Sequence, residues 1–217
     1  MSTPETSSGP RAHLLQTFAA FDTTDGTTTK VLDAALAEFS SVGIGRTSME
    51  DVARRAGVSR QTVYRHVANK DALVGQVLQR EFQRHAEQYV AEMQTADTAV
   101  ERIVGGYSST IQAIRSNPLL TSVLSHGVDT AVSSMAASAE HVLSMARMFL
   151  TYLLQVEQSE GEIAATIDVD VIADLMVRVA VSYVLIPSEV FDLADENATK
   201  NMVRTFLLPI LGWTSAD

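Results

Sequence analysis

The sequence predicts an all-α protein: a small N-terminal helical domain followed by a larger helical body. Three observations carry this expectation. Apolar residues recur at spacings of three and four along most of the chain, the period of a helix buried on one face. The breaks fall at Asn117-Pro118, Gly127, Ser159-Glu160-Gly161 and Pro187-Ser188, residue types that stop helices. No stretch alternates apolar and polar residues between turns, and no repeat of fixed period is visible.

Residues 1–10 are rich in Ser, Thr, Pro and Gly and are expected to be flexible. Leu14, Leu15, Phe18 and Phe21 fit one face of a short helix. Residues 22–29, DTTDGTTT, read as a linker. A first helix follows from Thr29, with Val31, Ala35, Phe39 and Val42 on one stripe and Gly43 at its end. Thr47 is the expected N-cap of a second helix, with Glu50 three residues on to complete a capping box. Met49, Val52, Ala53 and Ala56 give this helix its apolar face, and Gly57 stops it. Ser59 caps a third helix with Val63 and Val67 inward, and Asn69 caps a fourth beginning at Lys70. Helices are then expected near 71–94, 98–116, 119–126, 129–158, 168–186 and 195–211. The chain divides into an N-terminal extension over 1–26, a domain over 27–75 and a body over 76–217.

Composition narrows the function. Of 217 residues, 46% are apolar, enough to bury a core. The absence of Cys excludes disulfides, thiolate metal sites and Cys nucleophiles. The first ten residues carry an acid and no base, unlike a signal peptide, and no apolar run approaches the ~18 residues of a membrane span. A cytoplasmic protein without membrane contact is expected. The net charge of −10 argues against a general nucleic-acid coat, but the charge is unevenly spread. Residues 27–80 hold eight bases and five acids, whereas 81–217 hold seven bases and eighteen acids. A basic N-terminal domain on an acidic body suits one docking surface for a polyanion.

The segment Thr47 to Leu73, TSMEDVARRAGVSRQTVYRHVANKDAL, joins two short helices by a tight Gly-containing turn. Ala53 and Ala56 are small where the helices cross, and Gly57 can adopt the left-handed conformation. Val58 and Val63 plug the angle between them. The remaining face of the second of these two helices carries Arg60, Gln61, Thr62, Tyr64 and His66, hydrogen-bonding side chains on a helix short enough for a major groove. This is a helix-turn-helix.

The stretch from Lys30 to Leu78 resembles the DNA-binding domain of the TetR family of one-component transcriptional regulators. The likeness rests on Ala35, Phe39, Gly43, Thr47, Val52, Ala53, Ala56-Gly57-Val58-Ser59, Thr62-Val63-Tyr64-Arg65-His66-Val67 and Lys70-Asp71-Ala72-Leu73. It covers about 50 residues. The extension to Gly26 is longer than the common pattern, and His66-Val67 stands where many members carry an aromatic pair. The resemblance implies that Thr47 offers its hydroxyl and helix N-terminus to a phosphate. It implies that Arg60, Gln61 and Thr62 face base edges, and that Tyr64 and His66 reach the flanking backbone. Lys70 would clamp another phosphate. Arg pairs with guanine, Gln with adenine, and the Thr methyl with a thymine methyl. Ser59 is read as a cap, and Arg54 and Arg55 as solvated or distant phosphate partners.

The resemblance also implies a body that dimerises and senses a small molecule. Ile172, Leu175, Met176, Val179, Tyr183 and Ile186 form one candidate dimer stripe, and Met202, Phe206 and Leu207 another. Two such helices per subunit make a four-helix bundle across a two-fold axis. A cavity is expected among the helices from 98 to 158. Ile111, Ile114, Met135, Met145, Met148, Phe149 and Tyr152 are its apolar candidates, and Arg115, His126 and His141 its polar ones. The implied function is a repressor that binds a palindromic operator as a homodimer and is released by a small apolar or amphipathic effector. The partners are then double-stranded operator DNA, a second copy and the effector, with no cofactor and no metal. Two alternatives compete: a helical adaptor without DNA binding, and an all-α enzyme. The second lacks a Gly-rich phosphate loop, a GxSxG elbow or an HExxH pair. Glu81 with His85, and Glu140 with His141, have the wrong spacing for a di-iron bundle.

Overall fold

The computed structural model describes residues 26–213, apart from 94, 122, 124–132 and 187 and the side chains of 133–138. Among the described residues every regular element is helical. The helix expected over 14–21 lies outside this range, as do His126 and the Met135 side chain. No described helix is long and apolar enough to cross a membrane.

The N-terminal helices are α1 (Gly26–Val42), α2 (Met49–Ala56) and α3 (Arg60–His66). Then comes α4 (Lys70–Met93), which passes into the body formed by α5 (Ala99–Ser116), α6 (Ser133–Ser159), α7 (Val169–Leu185) and α8 (Glu196–Met202). The last of these runs on through a π-helical turn, Val203–Leu207, and a 3-10 turn, Pro209–Leu211.

Two local expectations are corrected. The first helix begins at Gly26, so residues 26–29 are a helical turn and not linker. Tertiary contacts hold a turn that propensity alone disfavours. The Thr28 hydroxyl lies 3.0 Å from Nδ1 of His66, and the Thr29 carbonyl accepts from Nη1 of Arg80 at 3.4 Å. The cap of α2 is Ser48, one residue later than Thr47. Ser48 Oγ accepts from the Asp51 N–H at 3.2 Å, and the Ser48 N–H donates to Asp51 Oδ2 at 3.0 Å. The Ser48 hydroxyl also donates to Asp51 Oδ2, and this bond together with that from the Ser48 N–H holds the Asp51 carboxyl below its ordinary value. The Thr47 hydroxyl instead donates back to the Gly43 carbonyl at 2.9 Å.

At the end of α2, Gly57 adopts φ +67°, and its N–H and that of Val58 bond back to the carbonyls of Arg54 and Ala53. A side chain there would be strained, which is why the turn needs glycine. Ser59 and Asn69 cap α3 and α4 as expected.

Among the described residues three apolar clusters follow, the smallest around Ala86, Tyr89, Val90, Met93 and Phe149. Val31, Ala35, Phe39, Val52, Val63 and Leu73 fill the first, none more than 3% exposed. Leu119, Val123, Ala139 and Val142 belong to the same cluster, so the N-terminal core is continuous with the body. In the second, Ile111, Leu154, Ile163, Met176, Met202 and Leu211 are essentially inaccessible. Met176 and Met202 are therefore corrected: they fill the subunit's own interior and have no surface to offer a partner. The π turn explains why Met202 and Phe206 part company. An α-helix would place them on one face. The wider turn carries the inward face on to Leu207 and leaves Phe206 exposed.

Candidate nucleic-acid interface and effector cavity

The outer face of α3 is built by what its inner face does. Val63 is fully buried against α1 and α2, which fixes the rotation of the helix. Arg60, Gln61, Tyr64 and Arg65 are then exposed side by side. The Arg60 guanidinium lies 5.3 Å from the centre of the Tyr64 ring and forms an ion pair with Glu50 at 2.5 Å. Both partners of that pair are solvated, so it is worth little and a phosphate or base edge can displace it. Thr62 is half-buried, its hydroxyl 2.8 Å from that of Ser59. Lys70 opens α4 and donates to the Gly45 carbonyl at 3.2 Å, in the loop before α2.

Three residues sit differently from their expected surroundings. The Thr47 side chain is buried with its hydroxyl already used. His66 is half-buried against Thr28 of α1 rather than spread on the outer face. Arg55 is not simply solvated: its Nε donates to Glu38 of α1 at 2.7 Å. Arg54 pairs with Asp51 within α2.

The second feature is a cavity of about 560 Å³ between α4, α5, α6 and α7. Phe149 and Tyr152 line it, as expected. Ile111 does not: it is fully buried in the second core. Arg115 and His141 are exposed on the surface, Met148 is exposed, and Met145 packs against the N-terminal core. The wall that sequence reasoning missed comes from α4, through Phe82, His85, Tyr89 and Met93. The signal was present as a single helical stripe at 82, 85, 89 and 93 in which an imidazole interrupts apolar side chains. Phe149 meets Phe82 and Tyr89 edge to face, with ring centres 5.8 and 5.4 Å apart. Gly106 of α5 makes this packing possible, because a Cβ there would lie 2.1 Å from the Tyr89 ring.

The polar groups of the cavity are few. Arg102 of α5 holds Glu157 of α6 through two bonds, Nε to Oε1 at 2.8 Å and Nη2 to Oε2 at 2.7 Å. Both side chains are buried. Nε2 of His85 lies 3.0 Å from the Thr110 hydroxyl, and burial pushes this imidazole below its ordinary pKa. Among the described residues no cluster of three or more His, Asp or Glu is placed to hold a metal.

Known proteins agree with this architecture. The family described as "Bacterial regulatory proteins, tetR family" matches residues 31–77. A second, described as "Bacterial Tetracyclin repressor, C-terminal domain", matches residues 95–204. The chain is 27% identical over 187 residues to an uncharacterised HTH-type transcriptional regulator of Mycobacterium tuberculosis, covering 86% of each. Salmonella enterica GusR superposes with a TM-score of 0.66 at 20% identity, over 88% of this chain and 99% of that one. The transcriptional regulator FadR from Bacillus subtilis, solved with stearoyl-CoA, superposes at 0.63 with 18% identity, over 81% and 96%. With one domain model on the helix-turn-helix and another on half of the chain, the protein belongs to the TetR family of transcriptional regulators.

Proposed function

We propose that this regulator is a repressor: a two-fold dimer that holds a palindromic operator when empty and leaves it when a small molecule fills the cavity. Arg60, Gln61 and Thr62 read bases, while Tyr64 and Lys70 take phosphates. Thr47 contributes through its place at the start of α2 rather than through its hydroxyl, and His66 through the seating of α3 on α1. Residues 27–75 and 76–217 act as the DNA-reading and sensing units.

One observation carries this reading. A single uninterrupted helix, α4, reaches from the loop beside the recognition helix to the cavity. Its 24 residues span about 36 Å. Lys70 at one end binds the Gly45 carbonyl, and Phe82 to Met93 at the other wall the cavity. A second route runs through packing. Val142 and Leu120 line the cavity and also pack in the cluster that contains Val63 of α3. A ligand that moves α4 or α6 therefore acts on the orientation of α3.

Dimerisation is supported by α7, whose apolar residues do not all face inward. Ala173, Met176 and Ala180 face inward, yet Val171, Leu175 and Ile186 are exposed. Phe206 is exposed too, in edge contact with Phe191, which in turn meets Tyr183. A helix apolar on both faces calls for cover on both. We assign the dimer face to these residues with the half-buried Ile172, Val179 and Tyr183.

The ligand's leverage is only its differential affinity for the two states. A ~100-fold loss of operator affinity needs about 2.7 kcal/mol of coupling, and operator must weaken ligand binding by the same factor. Titrating effector with and without operator checks this. Equal affinities in the two titrations would make the ligand a passenger.

A further inference from the structure

The chemistry of the cavity wall narrows what can fill it, granted the reading above that the cavity is the effector site. We propose that the ligand is an uncharged, largely apolar alcohol or phenol whose hydroxyl donates a hydrogen bond to Nδ1 of His85.

The Thr110 hydroxyl has a single hydrogen, and the Gly106 carbonyl at 2.8 Å is a nearer acceptor for it than Nε2 of His85 at 3.0 Å. Its oxygen therefore accepts at the 3.0 Å contact with Nε2 of His85. The imidazole thus carries its proton on Nε2, and Nδ1 is a bare lone pair. Nδ1 has no hydrogen-bond partner among the described residues, and His85 lines the cavity. Burial favours the neutral ring, so the wall presents an acceptor and not a cation.

One turn further along α4, Tyr89 lines the same cavity. Tyr89 is only 6% exposed. Burial raises its pKa, so it stays protonated and can donate. An acceptor and a donor four residues apart on one helix face suit a group that both donates and accepts. A hydroxyl does both; an ether or a carboxylate only accepts.

The charged groups exclude an anion. The Arg102 guanidinium is already held by both oxygens of Glu157. Arg84 pairs with Glu81 at 2.9 Å and Asp33 at 3.8 Å. Counting the wall residues, Glu81, Glu87 and Glu157 outnumber Arg84 and Arg102. A carboxylate ligand would have to displace a buried ion pair or protonate a desolvated imidazole. The aromatic wall of Phe82, Tyr89 and Phe149 completes the fit for a phenol.

Three matched probes test this without DNA: 4-pentylphenol, 4-pentylanisole and 4-pentylbenzoate, each titrated calorimetrically into the full chain at pH 7.5. The phenol is expected to bind about tenfold more tightly than either of the others, one hydrogen bond's worth. His85→Leu should bring the phenol down to the affinity of the anisole and leave the anisole unchanged. Thr110→Val, which frees the tautomer, should give an intermediate loss. Benzoate or anisole matching the phenol, a phenol preference that survives His85→Leu, or no phenol binding would each overturn the proposal. The wild-type comparison stands even where a variant does not fold. Operator binding is read separately. A phenol that binds with this preference yet leaves the operator complex intact supports the hydroxyl assignment and overturns the effector reading on which it rests.

Discussion

On the recognition helix Arg60 lies on the surface in an ion pair open to water; beside the cavity Arg102 is turned inward and locked to Glu157. Arg60 and Glu50 are 62% and 49% exposed, whereas Arg102 and Glu157 are 10% and 7% exposed. The same side chain has opposite uses. A solvated pair contributes little stability and is exchangeable, so it can be traded for a phosphate or a guanine. A buried pair joining α5 to α6 holds two helices in register and cannot be traded without leaving a charge stranded. The first arrangement suits exchange with a polyanion; the second keeps the Arg102 and Glu157 charges paired with each other beside a mostly apolar space.

That contrast can be broken by mutation. Arg102→Met should destabilise the fold by about 3–5 kcal/mol in urea unfolding, since Glu157 loses its bidentate partner in a buried site. Arg60→Ala should leave stability within about 0.5 kcal/mol while weakening specific DNA binding by about 1–3 kcal/mol. Similar stability losses in the two variants would erase the distinction.

Gly106→Ala sets a Cβ 2.1 Å from the Tyr89 ring. Overpacking of this kind costs about 1–3 kcal/mol, and the displaced ring should weaken binding of any cavity ligand, as calorimetry can read. At the proposed dimer face, Phe206→Glu changes an exposed residue and should spare the subunit's fold. Sedimentation should then show a monomer, with operator binding lost because one short helix contacts too little DNA. A folded dimer with full affinity would move the interface elsewhere. The smallest changes belong to the DNA end. Ser48→Ala should cost about 1 kcal/mol by removing the cap of α2. Lys70→Ala should weaken all sequences alike and flatten the salt slope by about one unit.

The two ends were also unequally legible. The helix-turn-helix could be read because its determinants are local: Gly57, Ser59, Asn69 and the valines lie within a few residues of the elements they set. The cap slipped by one because Thr47-Ser48 and Glu50-Asp51 offer two overlapping capping boxes. Burial of Thr47 decided between them, and burial is not local. In the body the helix boundaries followed from period and breakers, but the faces did not. Because α7 is apolar on two sides, spacing could not tell Met176, which is core, from Leu175, which is exposed. The stripe through Met202 and Phe206 failed for another reason, since a π turn changes the period on which such a stripe depends. Spacing places the cavity between residues 98 and 158, and Phe149 and Tyr152 line it. The groups with the most chemistry, His85 and Tyr89, sit on α4, where their helical stripe reads as core until the space beside it is seen.

The outward face of α3 is proposed to read a two-fold DNA site. The direct test is selection from a random duplex pool by the wild-type protein and by the Arg60→Ala/Gln61→Ala variant, at fixed salt. The wild type should enrich an inverted repeat with half-sites in successive major grooves, about one helical turn apart. The variant should keep its fold and lose that enrichment. No enrichment by the wild type, or the same repeat recovered by the variant, would contradict the account.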